Sequence, residues 1–299
     1  REAFRVLGRP GGRILMPFID GHLHVWEGLH PDRPYPWTPD PFPAEDLLPL
    51  LDANGVGMAV HVSPVIVGYD NGYGVEVATR FPDRFKVFGR FDPLQPAVAG
   101  ALRRWMSEKG AAGVRFTAYR SLEKARLNDA LMKPFWRAAA DGGVPVAVFA
   151  PGRLDEVLSI ARAEPDVTLI VDHFGLGVFQ GAEDPFAGVD DLAAFADLTN
   201  VFIKISALPE VSRDPFPFPD LHRHLAWAAA AFGAERLIWG SNWPVESIAC
   251  SYSETWSWIL ESGILDNSEI DQVLGGTMAQ ILRWAKDAPA QPADPKSSR

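Results

Sequence analysis

Phe85-Lys-Val-Phe-Gly-Arg-Phe91, then Ala97 to Lys109, then Gly110 and Gly113-Val-Arg-Phe-Thr117, form one complete cycle of a pattern that runs through the chain. The outer two pieces read as short strands. The middle reads as a helix closed by Gly110, since glycine commonly ends helices. Both strands are nearly all apolar, which suits a parallel sheet buried on both faces and covered by helices.

The cycle extends both ways. Upstream, Met16 to Val25 reads as the first strand, Ala44 to Ala53 as a helix, Met58 to Ser63 as a strand and Val75 to Phe81 as a helix stopped by Pro82. Downstream, helices are expected at 128–140, 153–163, 190–198, 220–232 and 253–262, and strands at 145–149, 167–173, 201–206 and 237–242. Asn267 to Trp284 reads as an extra C-terminal helix. About eight strands alternating with about eight helices is the requirement of a closed (β/α)8 TIM barrel. An open doubly wound sheet is the runner-up, disfavoured by the missing glycine-rich phosphate loop after strand one. The expected organisation is an arm at 1–15, a single barrel domain at 16–284 and a loose Pro-, Ala- and Ser-rich tail at 285–299. The loop from Glu27 to Pro43 is too proline-dense for helix or inner strand. A loop of that length serves as a lid over a mouth or a cover for a partner copy, so a homo-oligomer stays open.

Composition narrows the function. Of 299 residues 47% are hydrophobic, enough for a substantial core. The net charge of −10 argues against nucleic acid or an anionic membrane surface as partner and leaves small molecules. With Cys250 the single cysteine, no internal disulfide forms. No apolar run reaches the roughly 18–20 residues of a membrane span, and Arg1 to Arg13 lacks the apolar core of a signal peptide. The expected location is the cytoplasm.

Catalytic groups of such barrels sit at the C-terminal ends of strands, and there the polar residues gather. His22 and His24 end strand one, in an Asp-x-His-x-His pattern whose alternate residues share a face. His61 and Ser63 lie on strand two, Arg90 and Asp92 end strand three, and Arg115 and Thr117 sit on strand four. Asp172 and His173 end strand six, Lys204 and Ser206 strand seven, Ser241 and Asn242 strand eight. Neutral imidazoles bind zinc, iron or manganese well, and His22, His24 and His173 form the candidate metal set. His222 and His224 fall on a helix, where neighbours two apart diverge, and read as surface residues. His30 is placed to reach the mouth from the long loop, and His61 reads as a buried, hydrogen-bonded side chain. Arg115 either pairs with Asp172 or Glu76, or grips a substrate carboxylate. Lys204 carries the same two readings. Trp26, Trp243, Tyr119 and Phe174 either pack or wall a flat organic substrate.

Asp-Gly-His-Leu-His-Val-Trp at 20–26, Gly-Val-Arg-Phe at 113–116, Val-Asp-His-Phe-Gly at 171–175, Lys-Ile-Ser at 204–206 and Trp-Gly-Ser-Asn-Trp-Pro at 239–244 resemble the amidohydrolase superfamily. Within it they are most similar to the lactonase-type branch, which includes pyrone-dicarboxylate, sugar-lactone and sulfomuconolactone hydrolases. The stretches from Ser63 to Asn71 and from Arg80 to Phe85 are similar to that branch as well. The ordered set covers residues 16–284. The resemblance implies hydrolysis at an ester-like carbonyl. It puts the family's histidines at His22, His24 and His173. A divalent metal, zinc or manganese, is implied as cofactor, although some members of the branch work without one. The family's last-strand aspartate, which deprotonates the attacking water, is Asn242 here. An amide accepts no proton at neutral pH, and general acid–base help is worth about 10²–10⁴-fold. Either the residue was exchanged by design, or a natural variant uses another base such as His173, Asp172 or a metal-bound hydroxide, or hydrolysis has been lost.

The expected activity is therefore opening of a small carboxylated lactone or similar cyclic ester. His22, His24 and His173 would polarise the carbonyl and Asn242 would position water. Ser63, Arg90, Arg115, Tyr119 and Arg120 would hold the substrate, with Trp26 and Trp243 as walls. The rival readings are a decarboxylase on the same barrel and a catalytically impaired binding or partner subunit.

Overall fold

In the computed structural model, residues 18–28, 40–118, 127–177 and 184–284 are described. The arm at 1–15, the tail at 285–299 and most of the proline-rich loop, with His30, lie outside them. So do Tyr119 and Arg120.

The strands are β1 (Phe18–Leu23), β2 (Val56–Val62), β3 (Phe85–Arg90), β4 (Ala111–Thr117), β5 (Val146–Phe149), β6 (Leu169–Val171), β7 (Val201–Ile205) and β8 (Leu237–Trp239). All pair in parallel, in the sheet order β1 to β8. The helices are α1 (Ala44–Ala53), α2 (Gly72–Arg80), α3 (Val98–Ser107), α4 (Lys133–Gly142), α5 (Leu154–Ala163), α6 (Pro219–Phe232), α7 (Glu254–Glu261), α8 (Asn267–Asp271) and α9 (Thr277–Leu282). Beyond the formal end of β8 the ladder continues to β1. Asn242 N–H donates to His22 O at 2.7 Å and His24 N–H to Trp243 O at 2.8 Å. These bonds join the last strand to the first, so the sheet closes and the open doubly wound alternative fails.

Closure needs small residues at the seam. A Cβ at Gly240 would lie 2.6 Å from the His22 Cβ, and one at Gly21 2.7 Å from Trp239 O. Gly240→Ala is expected to cost about 1–3 kcal/mol through overpacking and to displace His22. Denaturant melts and lactone turnover check this together.

Two cores result. Ile19, Met58, Val60, Phe88, Ala147, Ile170 and Ile238 pack with Met278 and Ala279 from α9. The larger core lies between strands and helices, with Leu47, Phe85, Phe135, Leu169 and Leu225 among its residues. Along several strands the period-2 row of the smaller core turns polar toward the C-terminal end: Phe88 to Arg90, Ile170 to Asp172, Phe202 to Lys204. The apolar half anchors the barrel and the polar half is delivered to its mouth.

Three expected elements differ. The helix at 190–198 is a 3-10 segment, Val189–Phe195, following Gly188 with φ +84°. The final helix is α8 and α9 joined by a π turn over Gln272–Gly276, within a Gly-Gly pair that lowers the cost of distortion. Strand six ends at Val171 rather than at His173, because His173 and Phe174 take left-handed backbone angles with φ of 53° and 57°. Among the described residues no helix is long and apolar enough to cross a membrane.

Candidate active site

At the C-terminal mouth the structure gathers His22, His24, Asp172, His173, Lys204 and Arg115, all buried. The His22 ring centroid lies 4.9 Å from that of His24 and 4.6 Å from that of His173. His24 Nδ1–H donates to Val62 O at 2.7 Å. A carbonyl only accepts, so the Nδ1-protonated tautomer is set and Nε2 keeps its lone pair. His173 Nδ1 lies 2.9 Å from Ser206 Oγ. The left-handed kink after β6 turns this ring toward His22, at the cost of strain tolerated mainly at functional positions.

Asp172 is the electrostatic hub. Its Oδ1 lies 2.9 Å from Lys204 Nζ and 3.5 Å from His22 Nδ1, and its Oδ2 lies 3.2 Å from Arg115 Nε. Burial pushes its carboxyl up. Lys204, His22 and Arg115 together outweigh that and hold it well below the usual range. Arg115 thus pairs with Asp172, the first of the two partners expected from the sequence. Lys204 also reaches His22 Nδ1 at 3.1 Å. Lys204 and Arg115 thus share the Asp172 carboxylate. Burial keeps the histidines neutral: it moves His22 well down, His24 to about 4 and His173 to about 3.

His22, Asp172 and His173 have ligand atoms within 4.8 Å of one another. His24 is not in that group; it stands at the edge, beside Asn242. Asn242 has φ 54°, and both its amide atoms are buried without a hydrogen-bond partner. His22 Nε2 and Ser63 Oγ are buried and unpartnered as well.

Other expected residues are spent on structure. Asp20 does not join the histidines. Irregular pairing within β1 turns it aside. It accepts from His22 N–H at 3.0 Å, Ser241 N–H at 2.9 Å and Tyr252 O–H at 2.8 Å, pinning β1 to the β8 loop. Arg90 donates to Gly68 O at 2.8 Å and Thr117 Oγ1 at 2.9 Å. Trp26 donates to Asp40 O at 3.0 Å, and its ring faces Phe42. Trp243 stands half-buried, edge-on to Tyr252 at 5.5 Å. Phe174 packs on Trp227. His61 accepts from Val25 N–H at 3.3 Å. His222 reaches Pro217 O and His224 stacks on Phe186, both away from the mouth. Sequence reasoning passed over Tyr252 and Glu246. The first is one aromatic among many. The second lies beyond the last strand, where no periodic signal marks it.

The sequence profile of the amidohydrolase family matches residues 19–284. A 4-sulfomuconolactone hydrolase of Rhizobium radiobacter is 30% identical over 233 residues, 75% of this chain and 75% of that protein. An L-fucono-1,5-lactonase of Burkholderia ambifaria is 28% identical over 252 residues, covering 81% of this chain and 85% of that protein. Among solved structures, a zinc-bound amidohydrolase of Burkholderia multivorans superposes with a TM-score of 0.78 at 24% identity, over 90% of this chain and 99% of that one. A 5-carboxyvanillate decarboxylase of Sphingomonas paucimobilis superposes with a TM-score of 0.64 at 16% identity, over 89% and 99%. At such identities the superpositions speak for the barrel alone. The profile match spans the barrel from β1 to the end of the last helix, and the chain belongs to the amidohydrolase family.

Proposed function

We propose that the protein is a hydrolase that opens a small carboxylated lactone. The observation that carries this reading is the mouth itself: three neutral imidazoles beside a buried lysine and a buried arginine joined by Asp172. Such a site favours an anionic substrate and the oxyanion that forms as water adds to a carbonyl. The lactone-hydrolysing relatives give the substrate class.

In this reading Arg115 and Lys204 stabilise negative charge on the substrate, and Asp172 keeps both aimed inward. His22 and His173 face the carbonyl oxygen. Ser63 Oγ, buried and unpartnered, offers one hydrogen bond to a polar group of the substrate. Asn242 Oδ1 accepts a hydrogen bond from the attacking water and so orients it, without taking its proton.

The donor set also fits a divalent ion. His22 Nε2 is buried without a partner, and the Val62 carbonyl leaves His24 Nε2 unprotonated. Ligand atoms of His22, Asp172 and His173 converge, so these residues, with His24 at the edge, would hold zinc or manganese. Asp172 is the less available donor, because Lys204 and Arg115 already occupy it. When bound, the ion polarises a carbonyl and lowers the pKa of water.

The test is a panel of carboxylated lactones followed by proton release, with the metal content of the purified protein measured beside it. Ring opening is the expected result. No turnover with zinc or manganese supplied would overturn the reading, and carbon dioxide release without ring opening would select a decarboxylase.

A further inference from the structure

The mouth lacks a base at position 242, yet a buried carboxyl lies one turn further along the chain. Glu246 stands in the 3-10 turn Val245–Ile248 after β8, and its N–H donates to Asn242 O at 3.2 Å. It is 1% exposed, and its Oε2 has no hydrogen-bond partner. Its Oε1 accepts from Glu210 N–H at 2.6 Å, which brings the Glu210 side chain, with its own buried and unpartnered Oε2, alongside. The Asn242 side chain lies beside both Glu246 and His24. A buried carboxyl without a cation is costly and rare in an inert role. This one sits directly behind the residue that occupies the family's base position.

We propose that Glu246, with Glu210 behind it, is the proton-carrying pair of the lactone-opening site and replaces the carboxylate that position 242 lacks. The proposal rests on the lactone-hydrolase reading above. As the water oxygen bonds to the lactone carbonyl carbon, one water proton passes to the ionised carboxylate of Glu246. When the ring C–O bond breaks, that proton passes from Glu246 to the leaving ring oxygen. The second water proton stays with the new carboxyl group and is released to solvent. No oxidant or further reactant is needed. Asn242 Oδ1 accepts the water's other hydrogen, so that the transferred proton faces Glu246.

The electrostatics match the role. Burial raises Glu246 to about 8, with Glu210 adding to the rise and the Glu210 N–H and Asn242 opposing it. Burial raises Glu210 to about 7. The other titratable group that senses Glu246 is Cys250, which stays a thiol. Near neutral pH both carboxyls therefore stand close to their titration, the condition in which a carboxyl can take a proton and give it back. Cavity space of about 460 Å³ lies beside Glu210, lined also by Ser212, Phe218 and Ile248.

The experiment compares wild type, Glu246→Gln, Glu210→Gln and the double variant N242D/E246Q on the lactone panel between pH 5.5 and 9. Glutamine mimics a protonated carboxyl, and thermal melts verify that the variants fold. Turnover of wild type is expected to rise with pH as Glu246 ionises. Glu246→Gln is expected to lose about 10²–10⁴-fold in kcat and the alkaline rise with it. Glu210→Gln is expected to shift that rise to lower pH, and Asp at 242 to restore activity to the Glu246→Gln protein. Unchanged kcat in Glu246→Gln, or a loss that leaves the pH profile intact, overturns the proposal. If wild type opens no lactone, the hydrolase reading fails, and infrared difference spectra then judge the carboxyl assignment alone. A protonated-carboxyl band at pH 7 that disappears in Glu246→Gln supports the assignment; absence of the band in wild type overturns it.

Discussion

Asp172→Asn is expected to destabilise the protein by about 3–5 kcal/mol and to abolish lactone turnover. The carboxylate is fully buried between Lys204 Nζ at 2.9 Å and Arg115 Nε at 3.2 Å. Removing its charge leaves two buried cations facing each other. The loss comes less from the broken pairs than from the uncompensated charges left behind. Urea denaturation of the variant against wild type checks the size. A double-mutant cycle checks the cause: adding Lys204→Met removes one stranded cation and is expected to recover part of the lost stability, while turnover stays lost. If Asp172→Asn melts with wild type, the electrostatic account of the mouth is wrong.

Lys204→Met alone is the second large effect, and it falls on turnover. Methionine is close in length and fits the surrounding apolar wall, where Nζ lies 5.7 Å from the Phe88 ring centroid. Asp172 keeps Arg115, so the fold survives. The positive charge facing the developing oxyanion is halved. The expected loss is about 10²–10³-fold in kcat, the size seen when one preorganised oxyanion donor is removed. Binding of a carboxylated substrate is expected to weaken less, because Arg115 remains. Steady-state kinetics separate the two, and equal loss in kcat and in binding would show that Lys204 only neutralises Asp172. The side chain was ambiguous in the sequence. A lysine in an apolar strand reads equally as a structural pair or as a substrate group, and only the structure shows that it contacts both Asp172 and His22.

The barrel was legible because its signal is local and repeated. Apolar segments such as Val87-Phe88 and Ile203-Lys204-Ile205 alternate with amphipathic helices at a regular interval, and each cycle independently restates the same architecture. The 3-10 form of the segment at 190–198 and the π turn inside the final helix are not legible, for the reverse reason. Whether a short amphipathic stretch closes as α, 3-10 or π depends on what it must fit against, and that lies elsewhere in the chain. His22, His24 and His173 stood out because imidazoles are scarce and ended strands.

Chain order and residue type therefore suffice for the eightfold alternation, for the strand ends that carry polar groups and for the missing carboxylate at Asn242. These depend on neighbours within a few positions, where backbone geometry decides which side chains share a face. The pairing of Arg115 with Asp172 rather than Glu76, the diversion of Asp20 to Ser241 and Tyr252, and the approach of Glu210 N–H to Glu246 depend on contacts that the closed barrel creates. Closure brings together residues more than two hundred positions apart, such as Asp20 and Tyr252. Buried charges then choose partners by distance in space, because a low-dielectric interior penalises every ionised group left alone.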